Sequence, residues 1–189
     1  MLYRQKTVHC RIVFTIMDNR KLNRLINYDY SSNGLYFVTI CTKDRVRYLS
    51  EITTVNDESI VGADIIRPII RLTETGKILD FSINDIKNHY DNISVMKYCI
   101  MPDHVHLIIT IMNEIFPENG GRMISAPTLS TVIGSMKRFV SKKSGINLWQ
   151  KSFHDHIIRN REELRQIWQY IDNNPINWAN DIYNQNSWR

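Results

Sequence analysis

Two histidines separated by one residue are the feature of this sequence with the clearest chemical potential. His104 and His106 flank Val105 within an apolar run from Tyr98 to Thr110. Because side chains alternate between the two faces of a β-strand, both imidazoles are expected on one face and Val105 on the other. Two neutral imidazoles on adjacent pleats could bind one divalent metal, and histidine is the commonest protein metal ligand. The alternative is a histidine pair on a solvated sheet face.

A second pair of chemically capable residues lies near the C-terminus, on a predicted helix. Tyr170 and Asn174 are four residues apart, so they are expected on one helical face. A tyrosine hydroxyl can be a covalent nucleophile when a metal polarises its target, and an Asn carbonyl oxygen can complete a metal's coordination. Two imidazoles and one amide oxygen suit a divalent ion with positions left open for phosphate oxygens. Taken singly, Tyr170 could instead pack at a helix boundary, and Asn174 could simply end the helix before Pro175.

The positive charge is concentrated in two zones. The net charge of +5 arises in residues 1–27, which hold six Lys or Arg and one Asp. Residues 129–161 hold seven bases and a single acid, Asp155. Two basic zones on an otherwise near-neutral protein predict that a polyanion binds along one surface. The alternative is that these zones are solvated helix faces without a partner. The bases of the second zone that could contact such a partner are Lys137, Arg138, Lys142, Lys143 and Arg159.

The composition indicates a single folded domain. A length of 189 residues with 43% hydrophobic content is enough for a sizeable core and excludes a disordered chain. No apolar run approaches the ~20 residues of a membrane span, and the N-terminus lacks the pattern of a secretory signal. The three cysteines are widely spaced without a CxxC pair. These features predict a reduced, cytoplasmic protein with no membrane partner.

Hydrophobic periodicity predicts four strands and three helices. The strands are predicted over residues 35–42, 93–101, 104–112 and 153–158, and the helices over residues 73–89, 129–144 and 160–174. Residues 43–70 are expected to be irregular, with Pro68 as a breaker, and Pro175 is expected to end the last helix. That helix is expected to begin at Asn160, with Glu163 as its capping-box partner.

The order of these elements predicts the fold class. Strand, helix, strand, strand, helix and strand form the ferredoxin-like βαββαβ arrangement. The expected fold is therefore α+β: an antiparallel sheet with helices on one face, plus a C-terminal helix that carries Tyr170.

The motifs in combination resemble the single-tyrosine HUH transposases, named for a His, a bulky hydrophobic residue and a His. The resemblance is especially to the branch associated with bacterial repeated extragenic palindromes (REP). The matching stretches are residues 28–42, 101–106, 148–150, 156–160 and 170–175. The resemblance implies a catalytic domain over residues 28–178, preceded by a basic extension of residues 1–27 and followed by a tail of residues 179–189.

The resemblance also implies a site and a reaction. In such enzymes the histidine pair binds Mg²⁺ or Mn²⁺, and a tyrosine on a helix attacks single-stranded DNA. The match places the nucleophile at Tyr170 and the metal ligands at His104, His106 and Asn174. The expected reaction is transesterification through a 5′-phosphotyrosine link on DNA with hairpin (palindromic) elements. The basic helix and Arg159 would contact the DNA backbone, and the protein would act at the nucleoid as a monomer or a homodimer.

Two other classes of function stay open at this point. A metal-dependent hydrolase with an HxH site would use a metal-bound water and would not need Tyr170. A non-catalytic or domesticated nucleic-acid-binding protein on the same fold would need neither the metal nor the tyrosine.

Overall fold

The computed structural model describes residues 28–56, 66–113 and 127–180. Its strands are rich in β-branched and aromatic residues, which favour extended backbone, and its longer helices present an apolar stripe to the sheet. In chain order the elements are β1 (Gly34–Cys41), β2 (Ser50–Asn56), β3 (Ile66–Leu72), α1 (Glu74–Asn84), α2 (Ile86–His89), β4 (Ile93–Ile100), β5 (His104–Ile111), α3 (Leu129–Ser144), β6 (His154–Ile158) and α4 (Arg161–Asn180).

Four strands form the main sheet. Their order is β4-β5-β1-β6, and each neighbouring pair is antiparallel. With α1 between β1 and β4 and α3 between β5 and β6, the connectivity is βαββαβ, so the predicted ferredoxin-like sheet is confirmed. The bounds of these four strands and of α3 agree with the predicted bounds to within one residue.

The central strand β5 has both faces covered. All eight of its residues are buried. The odd-numbered residues, from Val105 to Ile111, belong to the core formed with α1 and α3. The even-numbered residues point to the opposite face, where Ile108 packs in a second cluster with Ile167 and Ile171 of α4. Because both faces are covered, most residues of the strand are apolar. Its polar residues are His104, His106 and Thr110.

The prediction that residues 43–70 are irregular is wrong. Residues 50–56 and 66–72 pair as an antiparallel two-stranded sheet, in which Pro68 lies opposite Thr54. Each strand of a two-stranded sheet has an open edge, so a proline is tolerated where its nitrogen faces outward. The β-branched residues of these two strands favour extended backbone, and the single proline does not prevent the pairing. Ile52 and Ile70 pack against the second cluster, which places the hairpin beside α4.

The prediction that Pro175 ends the last helix is also wrong, because α4 continues to Asn180. A proline inside a helix lacks the N–H for one backbone hydrogen bond and costs about 3 kcal/mol. The turn after Pro175 carries Trp178, whose ring centroid lies 5.9 Å from the His104 ring and 5.6 Å from the Arg47 guanidinium carbon. These contacts of Trp178 favour continuation of the helix. The rule that a proline ends a helix considers only local backbone geometry and so does not take such contacts into account.

Several predictions concern residues outside the described part of the chain. They are the basic extension over residues 1–27 and residues 181–189 of the tail. Within the described residues, no helix combines the length and the apolar character that crossing a membrane requires. Cys41 and Cys99 are free thiols, and Cys10 lies in the extension.

Two helical glycines provide a test of this packing. A Cβ added at Gly76 in α1 would lie 1.9 Å from the backbone oxygen of Leu49, whereas a Cβ at Gly134 in α3 would meet only the flexible Arg138 side chain at 3.4 Å. Alanine normally stabilises a helix over glycine by about 0.5–1 kcal/mol. We therefore expect Gly134→Ala to stabilise the protein by about that amount. Gly76→Ala should destabilise it by roughly 1–3 kcal/mol, the usual range for an overpacked core.

Urea unfolding of the two variants and the parent protein measures both effects. The packing of α1 against the segment before β2 would be contradicted by a Gly76→Ala midpoint equal to or above that of the parent.

Candidate active site

The two histidines of β5 share the sheet face that α4 covers. His104 and His106 are 6% and 3% exposed. Their Nε2 atoms lie 3.1 Å apart, and the two rings meet edge to face with centroids separated by 4.6 Å. The two imidazoles are therefore directed at a common point and are shielded from bulk solvent.

Each imidazole is held through its other nitrogen. His104 Nδ1 lies 2.5 Å from the Asp103 carboxylate, and His106 Nδ1 lies 2.8 Å from the Thr39 hydroxyl. The Asp103 carboxylate is placed to accept a hydrogen bond from Nδ1–H of His104, and the neutral tautomer with its proton on Nδ1 has a lone pair on Nε2. The Thr39 hydroxyl can donate or accept, so it can support either tautomer of His106. Both Nε2 atoms can thus serve as ligands.

Burial keeps His106 neutral. Desolvation lowers the pKa of His106 well below its ordinary value of 6.5, and the neighbouring His104 and Arg45 lower it further. A neutral imidazole is the form that binds a metal, so the burial that disfavours the cation favours metal coordination.

The geometry of the pair fits a shared metal. Two nitrogens about 2.1 Å from one ion, and separated by 90–110° at it, lie about 3.0–3.4 Å from each other. The observed Nε2–Nε2 distance of 3.1 Å falls in this range. No set of three His, Cys, Asp or Glu side chains that could hold a metal occurs in the described residues. A metal on this pair would therefore need further ligands such as an amide, substrate or solvent oxygen.

One stripe of α4 faces the histidines. The Tyr170 ring lies edge-on to His106, with centroids 5.3 Å apart, and the Trp178 ring lies 5.9 Å from that of His104. Asn174 is midway between these two aromatic residues on the same stripe and is 8% exposed. The structure therefore places Tyr170 against His106, and it places Asn174 on the helical stripe between two residues that contact the histidines.

Polar contacts fix the position of α4 against the sheet. At its start, the Asn160 side chain accepts a 2.8 Å hydrogen bond from the backbone N–H of Glu163, as predicted for the cap. The Glu163 carboxylate accepts a hydrogen bond from the Arg159 backbone N–H and pairs with His156 of β6, which is 2.5 Å away. The first turn of the helix is thereby tied to the end of the neighbouring strand.

A second set of contacts fixes the middle of α4. Lys97 of β4 lies 2.6 Å from the Asp172 carboxylate and 4.4 Å from the centroid of the Trp168 ring. The Lys97 side chain is mostly buried, so screening by solvent is reduced there. These anchors and the buried Ile171 fix which face of the helix meets the histidines.

The basic residues of α3 are not part of this constellation. Helix α3 packs in the core on the other face of the sheet. The Lys137 ammonium donates hydrogen bonds to two backbone carbonyls, at 2.7 Å and 3.1 Å, and burial lowers its pKa. Of the bases predicted to contact DNA, those with exposed side chains are Arg138, Lys142, Lys143 and, before α4, Arg159. A DNA strand at the histidines would therefore meet the α3 bases only if it continued around the sheet.

Several residues of the site were not identified by sequence reasoning. Asp103 and Thr39 hold the imidazoles, and Phe37 stacks on His106 with ring centroids 5.3 Å apart. Strand alternation would have placed Thr39 and Phe37 on the same face, but the pairing of β1 with β5 is needed to bring Thr39 opposite His106 and Phe37 opposite the next residue on that face, Ile108. Trp178 was missed because the helix was expected to end at Pro175.

Comparisons with known proteins identify a family. The model of the family described as IS200-like transposases matches residues 66–174. An uncharacterized protein of Haemophilus influenzae is 29% identical over 182 residues, which cover 86% of this chain and 92% of that protein. A second H. influenzae protein, named as a REP-associated tyrosine transposase, is 25% identical over 166 residues, covering 78% of this chain and 73% of that protein.

A solved structure has the same fold. The REP-associated tyrosine transposase bound to a REP hairpin superposes with a TM-score of 0.56 at 20% identity, over 82% of this chain and 74% of that one. At this level of identity the likeness concerns the fold. The family model, in contrast, spans more than half of the sequence, including β4, β5 and α4 as far as Asn174. The chain therefore belongs to the IS200-like transposase family.

Proposed function

We propose that this transposase is a divalent-metal-dependent transesterase that cleaves and rejoins single-stranded DNA through a 5′-phosphotyrosine intermediate. The observation that carries the proposal is the contact of Tyr170 with His106, whose Nε2 faces that of His104. A nucleophile and a pair of metal ligands within one buried cluster are what metal-assisted attack on a phosphodiester requires.

The chemical step follows from the groups present. The Tyr170 hydroxyl oxygen attacks phosphorus, the bond from phosphorus to the 3′ oxygen breaks, and a 5′-phosphotyrosine link forms. The tyrosine loses a proton and the departing 3′ oxygen gains one, so the step is balanced. Because one phosphodiester replaces another, the 3′-OH of a second strand can reverse the reaction and reseal the DNA without ATP.

His104, His106 and Asn174 would hold the metal in this proposal. When bound, Mg²⁺ or Mn²⁺ would polarise the scissile phosphate, stabilise the charge on its oxygens and favour ionisation of a nearby tyrosine. The two imidazoles contribute through their Nε2 atoms. Asn174 contributes through an amide oxygen that α4 carries one turn from Tyr170.

The proposed substrate is single-stranded DNA adjoining a hairpin. A structural neighbour is described as bound to a REP hairpin, which supports a DNA hairpin as the partner. An extended single strand can bring its backbone to a buried site more readily than a duplex can.

Removing either histidine should abolish the metal-dependent reaction. We expect His104→Ala and His106→Ala to lower Mg²⁺- or Mn²⁺-dependent cleavage of a labelled hairpin oligonucleotide by roughly 100- to 1,000-fold, the scale for loss of a stabilising electrostatic group. His89→Ala, which changes an exposed histidine paired with Asp85, is the matched control and should retain activity. Cleavage that survives both active-site substitutions would overturn the role of the pair.

Removing the hydroxyl oxygen of Tyr170 should abolish the covalent attack on DNA while leaving DNA binding intact. Tyr170→Phe keeps the ring that packs on His106 and Phe37, so the fold and DNA affinity should be preserved. A denaturing gel should show a protein–DNA adduct for the parent chain and no adduct for the variant. Persistence of the adduct would refute the assignment. Free cleaved DNA without any adduct in the parent would indicate a hydrolase, and no cleavage at all would indicate a binding protein.

The α3 bases should affect DNA binding more than chemistry. We expect the triple substitution of Arg138, Lys142 and Lys143 by Ala to reduce the salt-dependence slope of hairpin binding by about 2–3, given 0.7–0.9 per phosphate contact. Adduct formation at saturating protein should persist, because α3 lies on the sheet face away from the histidines. The matched control removes three exposed bases elsewhere, Lys77, Lys87 and Arg165. Equal slopes for the two variants would mean that α3 is only a solvated surface.

A further inference from the structure

A buried carboxylate beside the histidine pair has no part in the reaction described above. Asp103 is 6% exposed. One of its oxygens lies 2.5 Å from His104 Nδ1, and the other lies 3.1 Å from Arg45 Nε. A buried carboxylate is costly unless it is paired and hydrogen-bonded, and here each oxygen has one partner. The three side chains thus form a line from the exposed Arg45 to the imidazole of His104.

We propose that Asp103 and Arg45 are positioning residues that hold His104 in the tautomer and orientation in which Nε2 can bind the metal. This inference rests on the proposed function. By accepting from Nδ1–H, Asp103 keeps the proton away from Nε2, and its contact with Arg45 holds the carboxylate in the orientation that meets Nδ1. A carboxylate behind a ligating imidazole also makes that ligand more basic.

The backbone around Arg45 supports a role beyond stability. Asp44 and Arg45 have φ angles of +54° and +57°, in the left-handed region that non-glycine residues rarely adopt. Two consecutive residues in this region are unfavourable, and such conformations persist where the surroundings impose them. In this turn the strained backbone places the Arg45 guanidinium against Asp103. A turn selected for stability alone would favour glycine at these positions.

The backbone of Asp103 is fixed as firmly as its side chain. Its carbonyl accepts hydrogen bonds from the backbone N–H of Thr42, at 2.9 Å, and from the Thr42 hydroxyl, at 3.0 Å. The adjacent Pro102 carbonyl accepts from the backbone N–H of Leu49. Asp103 therefore cannot shift readily relative to β1, and its carboxylate presents a fixed acceptor to His104.

The other histidine–carboxylate pairs in the described residues have a different arrangement. His89 pairs with Asp85, and His156 pairs with Glu163, in each case through Nε2. A carboxylate at Nε2 occupies the nitrogen that a metal would need in the present site. At His104 the carboxylate contacts Nδ1, so Nε2 stays available to bind a metal together with Nε2 of His106.

The test is Mn²⁺ binding by the full-length protein without DNA, measured by electron paramagnetic resonance titration at fixed pH. We expect Asp103→Ala to lower Mn²⁺ affinity 10- to 100-fold, the usual effect of losing the partner behind a ligating histidine. Asp103→Asn keeps an acceptor without the charge, so its affinity should be intermediate. Asp85→Asn, which alters the exposed pair with His89, is the matched control and should bind Mn²⁺ as the parent does.

A second variant separates positioning from folding. Arg45→Gly removes the guanidinium and relieves the left-handed strain at that residue. The relief of strain offsets part of the cost of leaving the buried Asp103 carboxylate without its guanidinium partner, so the variant should remain folded while its Mn²⁺ affinity falls. Imidazole nitrogen NMR shifts should show the His104 proton on Nδ1 in the parent and displaced toward Nε2 in Asp103→Ala.

The outcomes distinguish this inference from the proposed function. Parent-like Mn²⁺ affinity in both Asp103→Ala and Arg45→Gly, together with weakened binding in His104→Ala, would overturn the positioning role and leave the metal site intact. If the parent binds Mn²⁺ no better than His104→Ala does, the metal site itself fails, and the positioning role fails with it.

Discussion

The packing of α4 on the second face of the sheet is the interaction on which the site depends. Ile167 and Ile171 are buried against that face, together with Ile108 of β5. Full burial of a side chain of this size stabilises by about 1.5–3 kcal/mol. Since these residues fix the rotation of the helix, they also determine that Tyr170 meets His106 and that Asn174 lies on the same helical stripe. The geometry of the candidate chemistry is thus a consequence of hydrophobic burial.

The two histidines inside this interface are tolerated because each has a polar partner at Nδ1. Burying a polar group without a hydrogen bond costs several kcal/mol in an apolar environment. The Nδ1 of His104 has Asp103 as its partner, and the Nδ1 of His106 has Thr39. Desolvation also lowers the pKa of His106, so the protein keeps it neutral by the same burial that holds it in place. The contacts that stabilise the buried histidines are therefore the same contacts that prepare them, in this proposal, to bind a metal.

Sequence patterns identified the core of this arrangement because the relevant signals are local. Strand alternation requires His104 and His106 to share a face, and a spacing of four places Tyr170 and Asn174 on one helical stripe. The βαββαβ order likewise follows from runs of strand and helix periodicity. None of these inferences needs knowledge of which segments meet in space.

What sequence patterns did not predict depends on tertiary contacts. The continuation of α4 past Pro175 is favoured by Trp178, which packs near His104, a residue far away in sequence. The role of Thr39 depends on the register of β1 against β5, in which it lies opposite His106. The basic stripe of α3 was visible in the sequence, but the sheet face on which that helix packs was not.

The central claim, that Tyr170 forms the covalent link to DNA, is tested most directly by mapping the adduct. After reaction with a hairpin oligonucleotide in Mn²⁺, nuclease and trypsin digestion should leave a nucleotide on the peptide of residues 166–189, since no Lys or Arg lies between Arg165 and Arg189. That peptide contains Tyr170 and Tyr183, and tandem mass spectrometry distinguishes them. The account predicts a 5′-phosphate link on Tyr170. A link on Tyr183, or on any residue outside this peptide, would contradict it.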